Sequence, residues 1–197
     1  MDFFSNAAAT GFIGVIVGAT MTIGKDYFLT LRKEAKAEKY LCIRVVSELE
    51  RFAAGCVDVV GDDGEENPNG YTVVTTKTPE FEPHSIDVDW ESLPLTLLYR
   101  TLDLPNQLQA ASREIEDVLE HVASPPDYPE FYEERQFQFA KLGLQALELA
   151  ADLRLRAGLP GIDNGEWSSI SFLRERYQEF IDLRAKKAAR YAQYMQP

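Results

Sequence analysis

Cysteine and histidine are scarce in this chain, which has two of each among its 197 residues. Two cysteines cannot build the disulfide framework that stabilises small secreted domains. Cys42 and Cys56 also stand roughly 20 Å apart along one helix, too far to bond to each other. We therefore expect both to be reduced core residues. His84 and His121 are too few for a histidine-rich metal site.

Basic residues are also outnumbered, since 20 Lys and Arg stand against 32 Asp and Glu and give a net charge of −12. Such a surface repels nucleic acid phosphates and anionic lipid headgroups, so we expect no nucleic-acid binding. The hydrophobic fraction of 45% and the charged fraction of 26% are ordinary for a folded protein. The length suits one domain with appendages.

Recognisable catalytic patterns are missing. The sequence has no Gly-x-Ser-x-Gly elbow and no Cys-x-x-Cys pair. Gly24 and Lys25 resemble the end of a phosphate-binding loop, but Asp26 follows where that loop needs Ser or Thr. Asp117 and His121 share a helix face, which we interpret as a charged helix end. We therefore predict no catalytic, cofactor-binding or metal-binding residues and no cofactor.

Charge is absent between Asp2 and Lys25, a run of about 22 residues that would span roughly 33 Å as a helix. This length matches the core of a bilayer. No basic residue precedes the run, so a cleavable signal peptide is disfavoured. We predict a transmembrane anchor at residues 1–25, with a buried core helix or an amphipathic surface anchor as the alternatives.

The positive charges that follow this run predict its orientation. Basic side chains close to a membrane span stay on the cytoplasmic side. A single-pass protein is therefore expected, with its N-terminus outside and its C-terminal domain in the cytoplasm. The juxtamembrane positive residues are Lys25, Arg32, Lys33, Lys36 and Lys39.

Small residues recur along one face of the predicted anchor. Such a face lets two helix backbones approach closely, which favours a homo-oligomer or a partner membrane helix. The high glycine content of membrane helices in general is an equally good explanation. The helix-packing residues are Thr10, Gly11, Gly14, Gly18 and Thr22.

A long amphipathic helix is predicted at residues 26–60, continuous with the anchor because neither Gly nor Pro interrupts residues 25–54. Its apolar residues follow spacings of three and four and could form a coiled coil between subunits or one wall of an intramolecular bundle. The helices predicted later in the chain favour the bundle. The seam consists of Phe28, Leu31, Ala35, Cys42, Val45, Leu49, Phe52, Cys56 and Val59.

Residues 61–94 are predicted to form an acidic loop and a small β-hairpin. GDDGEENPNG, at 61–70, is polar and rich in glycine, as exposed loops are. The β-branched segments Thr72–Thr76 and Ile86–Trp90 alternate and could pair with each other as the hairpin. Two strands are only marginally stable alone, so they would have to pack against helices.

Residues 95–197 contain the remaining helices. After a turn or two at 95–100, Asp103 and Pro105 predict a helix start, and a third helix is predicted from Pro129 to Gly158. Ser168 or Ser169 caps the last helix, whose apolar stripe is Leu173, Tyr177, Phe180, Ile181, Ala188 and Tyr191. The predicted fold class is mainly all-α: a transmembrane helix that continues into a cytoplasmic antiparallel bundle with a hairpin insertion.

The function that these features predict is a membrane-tethered interaction or scaffold protein. Its partners would be the lipid bilayer and an unknown cytoplasmic protein that binds the acidic bundle. Two alternatives stay open: a toxin-like or defence effector that oligomerises through the small-residue face, and an enzyme with an unrecognised site.

Overall fold

The computed structural model describes the backbone of residues 3–161 and 168–194, and the side chains of 30–161 and 168–194. The described chain is mainly helical, as predicted. Its helices are α1 (Phe3–Val60), α2 (Leu95–His121), α3 (Pro129–Ala157) and α4 (Ser169–Tyr194). Two short strands, β1 (Glu65–Glu66) and β2 (Thr72–Val73), and two single-turn 3-10 helices, Pro83–Ser85 and Trp90–Ser92, connect α1 to α2.

Helix α3 lies at the centre of the bundle and contacts the other three helices. It buries fifteen residues distributed around its circumference, whereas α2 buries four and α4 buries two. Each neighbour runs antiparallel to α3. Between α2 and α3, for example, Arg100 pairs with Asp152 while Glu114 bonds to Gln138. The predicted antiparallel bundle is therefore present, with α3 as its core helix.

The second part of α1, Leu41–Val60, forms one wall of this bundle. Leu41 is the first buried residue among the described side chains of α1. The seam residues from Cys42 to Val59 are buried against the same chain rather than left open for a second subunit. Of the two interpretations of the seam, the intramolecular bundle is the one observed. Cys42 and Cys56 are free thiols within it, as expected.

The first part of α1 leads away from that wall. Every residue from 30 to 36 is exposed, and the Trp90–Ser92 turn lies beside this stretch. The predicted anchor at 1–25 is helical in its backbone from Phe3, but its side chains lie outside the described residues. Within the described part of the chain, no helix combines the length and apolar character needed to cross a membrane.

Helix α2 corrects one predicted boundary. Asp103 and Pro105 do not start a new helix, because α2 runs without a break from Leu95 to His121 and holds Pro105 inside it. Proline removes one backbone donor from a helix but does not forbid it when packing compensates. Thr101 and Leu104, in the turn before Pro105, are buried in the bundle. Tertiary packing therefore overrides the local start signal.

The predicted pairing of Thr72–Thr76 with Ile86–Trp90 is wrong. β2 pairs instead with β1, with Glu65 opposite Val73 and Glu66 opposite Thr72. Asn67 closes this tighter turn, because its side-chain Oδ1 accepts hydrogen bonds from the backbone N–H groups of Asn69 and Tyr71. The Ile86–Trp90 segment forms no strand.

The boundaries of α3 and α4 agree with their local signals. Pro129 begins α3, and Gly158 ends it in the left-handed conformation with φ of 65°. The hydroxyl of Ser168 accepts a 3.4 Å hydrogen bond from the N–H of Ser171 at the start of α4. These ends are set by short-range chemistry, so they could be read without knowledge of the fold.

Candidate functional site

The predicted membrane-binding residues fall in two places. Thr10, Gly11, Gly14, Gly18, Thr22 and Lys25 have side chains outside the described residues. The other positive residues, Arg32, Lys33, Lys36 and Lys39, are exposed on residues 30–40 of α1, which we call the stalk. At 1.5 Å per residue, roughly 24 Å of helix separates Lys25 from Leu41. The positive residues therefore lie between the predicted anchor and the bundle.

The most buried charges of the described chain belong to Asp62 and Arg135. Asp62 follows the end of α1, Arg135 lies on α3, and the Arg135 Nη1 donates to the Asp62 Oδ2 at 2.9 Å. Their side chains are 1% and 5% exposed, respectively. This pair joins residues 73 positions apart and fixes the segment after α1 to the central helix.

Three more residues donate hydrogen bonds to the carboxylate of Asp62. The backbone N–H of Gly64 and the N–H and hydroxyl groups of Thr75 and Thr76 all donate to its carboxylate, at 2.7–3.3 Å. Arg135 also donates to the carbonyl of Thr76. We call these five residues the Asp62 cluster. Every oxygen of its carboxylate is occupied by protein.

The pKa of Asp62 reflects this environment. Burial by itself raises the pKa, but the hydrogen bonds from Thr75, Thr76 and Gly64 outweigh it and hold the pKa well below the ordinary value for aspartate. The carboxylate is therefore ionised at neutral pH. A carboxylate that is saturated with donors and ionised at neutral pH is poorly suited to general acid–base chemistry and well suited to holding a loop in place.

Tyr132 and Gly64 show how tightly this loop sits on α3. A methyl group added at Gly64, where φ is +78°, would collide with the Tyr132 hydroxyl oxygen and lie 2.6 Å from Cγ2 of Thr72. The Tyr132 hydroxyl is buried and has no hydrogen-bond partner among the described atoms. Burial is the main cause that raises the pKa of Tyr132, and the negative charge of Asp62 raises it further. The loop thus requires glycine both for its backbone conformation and for close approach.

The two thiols are not arranged as nucleophiles. Burial raises the pKa of Cys56. Burial raises the pKa of Cys42 as well, and the charge of Glu38 adds to the effect. Catalytic cysteines instead have lowered pKa values because the thiolate is the reactive form. Both thiols therefore contribute to packing.

The histidine considered for a metal site lacks the necessary neighbours. His121 Nε2 lies 3.6 Å from the Asp117 carboxylate, and both side chains are mostly exposed. Glu114 bonds instead to Gln138 on α3. Among the described residues, no group of three or more His, Cys, Asp or Glu side chains is placed to hold a metal ion.

An open apolar cleft of about 480 Å³ lies between α1, α3 and the start of α4. Its walls include Ala53 and Ala54 of α1, Leu147 and Ala151 of α3, and Ile170 of α4. The volume is in the range of clefts that admit a large side chain or a small ligand. This cleft is a concave and mainly apolar surface.

The wall of the cleft carries both a charged pair and an exposed apolar side chain. Arg154 Nη2 and Glu50 Oε1 form a 2.7 Å ion pair on its wall, with both side chains partly exposed. Leu155 also lines it and is 83% exposed, which is unusual for a leucine on a central helix. A partner that covered Leu155 would gain buried apolar area and meet a charged pair that fixes its orientation.

No protein-family model, no curated protein and no solved structure matches this chain. The stalk, the Asp62 cluster and the cleft are therefore interpreted from their own geometry.

Sequence reasoning missed the Asp62 cluster, although one signal pointed to it. Arg135 lies four residues from both Phe131 and Phe139, on the apolar stripe of α3. An arginine at the centre of such a stripe either extends its charged end to water or is buried, and a buried charge needs a partner. The pattern indicated that a partner exists but could not show that it was Asp62.

Proposed function

We propose that this chain is a membrane-tethered interaction protein, in which α1 leads from the bilayer through the stalk to a bundle that binds a cytoplasmic protein. The observation that carries the proposal is the division of α1 itself. Among the described side chains of this 58-residue helix, those of residues 30–40 stay outside the buried core, and those that enter it begin at Leu41. A helix whose described side chains are exposed before they enter a core is suited to connect that core to the segment preceding it.

The stalk supports the cytoplasmic orientation. Its exposed lysines stand close to the uncharged run, where positive side chains resist transfer across the bilayer. The stalk also holds the acidic bundle away from anionic headgroups, which would repel it. A separation of roughly 24 Å exceeds the Debye length of about 8 Å at physiological salt.

The cleft supplies the binding surface in this proposal. A complementary partner would insert a large apolar side chain between Ala54 and Leu155 and place polar groups against the pair formed by Glu50 and Arg154. An amphipathic helix provides this combination, because apolar and polar residues alternate along its length at spacings of three and four.

Membrane attachment is tested by fractionation of the full-length chain. The parent should pellet with membranes and resist alkaline extraction. Ile16→Lys should release it, because a lysine at the middle of a span costs about 2.5–3.5 kcal/mol. Ala35→Lys, in the exposed stalk, is the matched control and should remain in the pellet. A parent protein that stays in the supernatant without detergent would refute the tether.

Binding at the cleft is tested by a photo-crosslinking side chain at Leu155 in living cells. Leu95 is the matched control, because it is 81% exposed but lies on α2, outside the cleft. We expect one discrete adduct from position 155 and none from 95. Ala151→Trp, which fills the cleft, should abolish that adduct. Equal crosslinking at both positions would contradict a specific surface there.

A further inference from the structure

The C-terminal part of α4 extends past the helix on which α4 packs. Leu173 and Phe180 are buried against the bundle, and Arg184 and Lys187 pair with Glu134 and Glu133 near the start of α3. Beyond this level α3 has only about one further turn, since it begins at Pro129. Residues 185–194 are all exposed, and we call them the α4 overhang.

The apolar stripe of α4 nevertheless continues into the overhang. Tyr191 lies eleven residues after Phe180, three turns on and therefore on the same helix face. Tyr191 and Tyr194 are 72% and 80% exposed. The predicted stripe is thus buried only in its first half, because only the first turn of α3 remains beside the second half.

The charge of the overhang is opposite to that of the chain. It contains Lys186, Lys187 and Arg190 and no acidic residue, whereas the whole protein carries −12. Lys186 and Arg190 form no ion pair with any described residue. Two exposed tyrosines beside unpaired cations form a surface suited to an acidic partner with some apolar area.

The C-terminal end of α2, together with Val122 directly after it, has the complementary composition. Glu116, Asp117 and Glu120 are exposed there, and Leu119 and Val122 are 44% and 57% exposed. We call these five residues the α2 acidic face. It offers carboxylates to the cations of the overhang and aliphatic side chains to its tyrosines.

The two surfaces lie at the same end of the bundle, on different sides of α3. A chain of polar contacts shows this, because Arg184 of α4 binds Glu134, Gln138 donates to Glu134, and Gln138 also donates to Glu114 of α2. Arg184 and Glu114 are therefore at similar heights along α3. From this level, α2 and α4 both continue in the direction away from the stalk.

We propose that the α4 overhang of one chain binds the α2 acidic face of a second copy. Two overhangs would repel each other, as would two acidic faces, so only the mixed contact is attractive. Both surfaces lie at one height. In the proposed dimer both also face a two-fold axis parallel to the bundle, so that each overhang meets the other copy's acidic face and the contact forms twice. This arrangement keeps both stalks pointing the same way.

The geometry is tested with cysteine pairs in the full-length chain, purified in mild detergent. A Tyr191→Cys chain mixed with a Val122→Cys chain should form an inter-chain disulfide under mild oxidation. Tyr191→Cys mixed with Leu155→Cys is the control, because Leu155 is as exposed but lies near the opposite end of α3. The native thiols are buried and stay out of the reaction.

Charge reversal tests the attraction itself. In sedimentation, Lys186→Glu with Arg190→Glu should weaken dimer formation by about tenfold or more, and Asp117→Lys with Glu120→Lys should do the same. All four changes in one chain should restore the dimer, since the charges are then exchanged. Circular dichroism should stay unchanged, because all four side chains are exposed.

Three outcomes would overturn the proposal. The parent chain could be monomeric at every concentration tested, or the mixture of Tyr191→Cys with Val122→Cys could crosslink no better than the control. Alternatively, a dimer could persist in both charge-reversed variants, which would place the self-contact elsewhere, for example in the predicted anchor. The cysteine-pair experiment distinguishes failure of this dimer from failure of the membrane tether, because disulfide formation in detergent does not require a membrane.

Discussion

Removal of Asp62 should destabilise the bundle more than removal of its partner Arg135. Asp62→Ala leaves the Arg135 guanidinium, 5% exposed, with only the carbonyl and hydroxyl oxygens of Thr76 as acceptors. Breaking a buried ion pair in this way costs about 3–5 kcal/mol. Arg135→Met leaves Asp62 with the donors from Gly64, Thr75 and Thr76, so we expect a loss of about 1–3 kcal/mol.

The double variant measures the energetic coupling between Asp62 and Arg135. Asp62→Ala with Arg135→Met buries no unpaired charge, so its cost should fall short of the sum of the single costs by about 1–3 kcal/mol. Urea unfolding of the full-length chain in non-ionic detergent, followed by circular dichroism at 222 nm, measures all three free energies. The reasoning fails if Arg135→Met costs more than Asp62→Ala, or if the two costs simply add.

The pH dependence of stability follows from the lowered pKa of Asp62. Because the pKa is lower in the folded than in the unfolded state, the unfolded chain binds more protons at acidic pH. The contribution of Asp62 is thus fully present above its unfolded pKa of about 4 and is lost as the pH falls towards its folded pKa. Asp62→Asn should be less stable at pH 7, and the gap between parent and variant should narrow below about pH 4. A difference in stability between parent and variant that does not change with pH would contradict this explanation.

Three further experiments test the packing. Gly143→Ala should lower the free energy of unfolding by about 1–3 kcal/mol, because the new Cβ would lie 2.9 Å from Cys56 Cβ. Gly61→Ala serves as the control in the same urea titration, because its new Cβ meets nothing closer than 3.6 Å. Cys42 and Cys56 should resist a thiol reagent at pH 8 in the folded chain and react in urea; fast labelling before unfolding would disprove their burial. Pro105→Ala should raise the free energy of unfolding by about 1–3 kcal/mol, because it restores a backbone N–H inside α2. An unchanged urea midpoint would contradict this expectation and show that α2 already compensates for the missing hydrogen bond.

Much of the helical framework could be predicted from local chemistry. The apolar seam of α1 from Cys42 to Val59, the start of α3 at Pro129 and its end at Gly158 are short-range signals, and each is found where expected. The earlier seam residues Leu31 and Ala35 are exposed, so the prediction was wrong for them. The intramolecular use of the seam was also the favoured interpretation. Hydrophobic periodicity states which face of a helix avoids water, and that is sufficient to predict a bundle.

The sequence by itself thus determined the helices, their apolar faces and the charge of the chain. Only the tertiary structure decided which surfaces meet: β2 with β1, Arg135 with Asp62, and the stripe of α4 with an α3 that begins too late to cover Tyr191. The physical reason is that periodicity depends on neighbours within one or two turns. Pairing depends instead on the lengths and positions of elements far apart in the chain, which no local pattern contains.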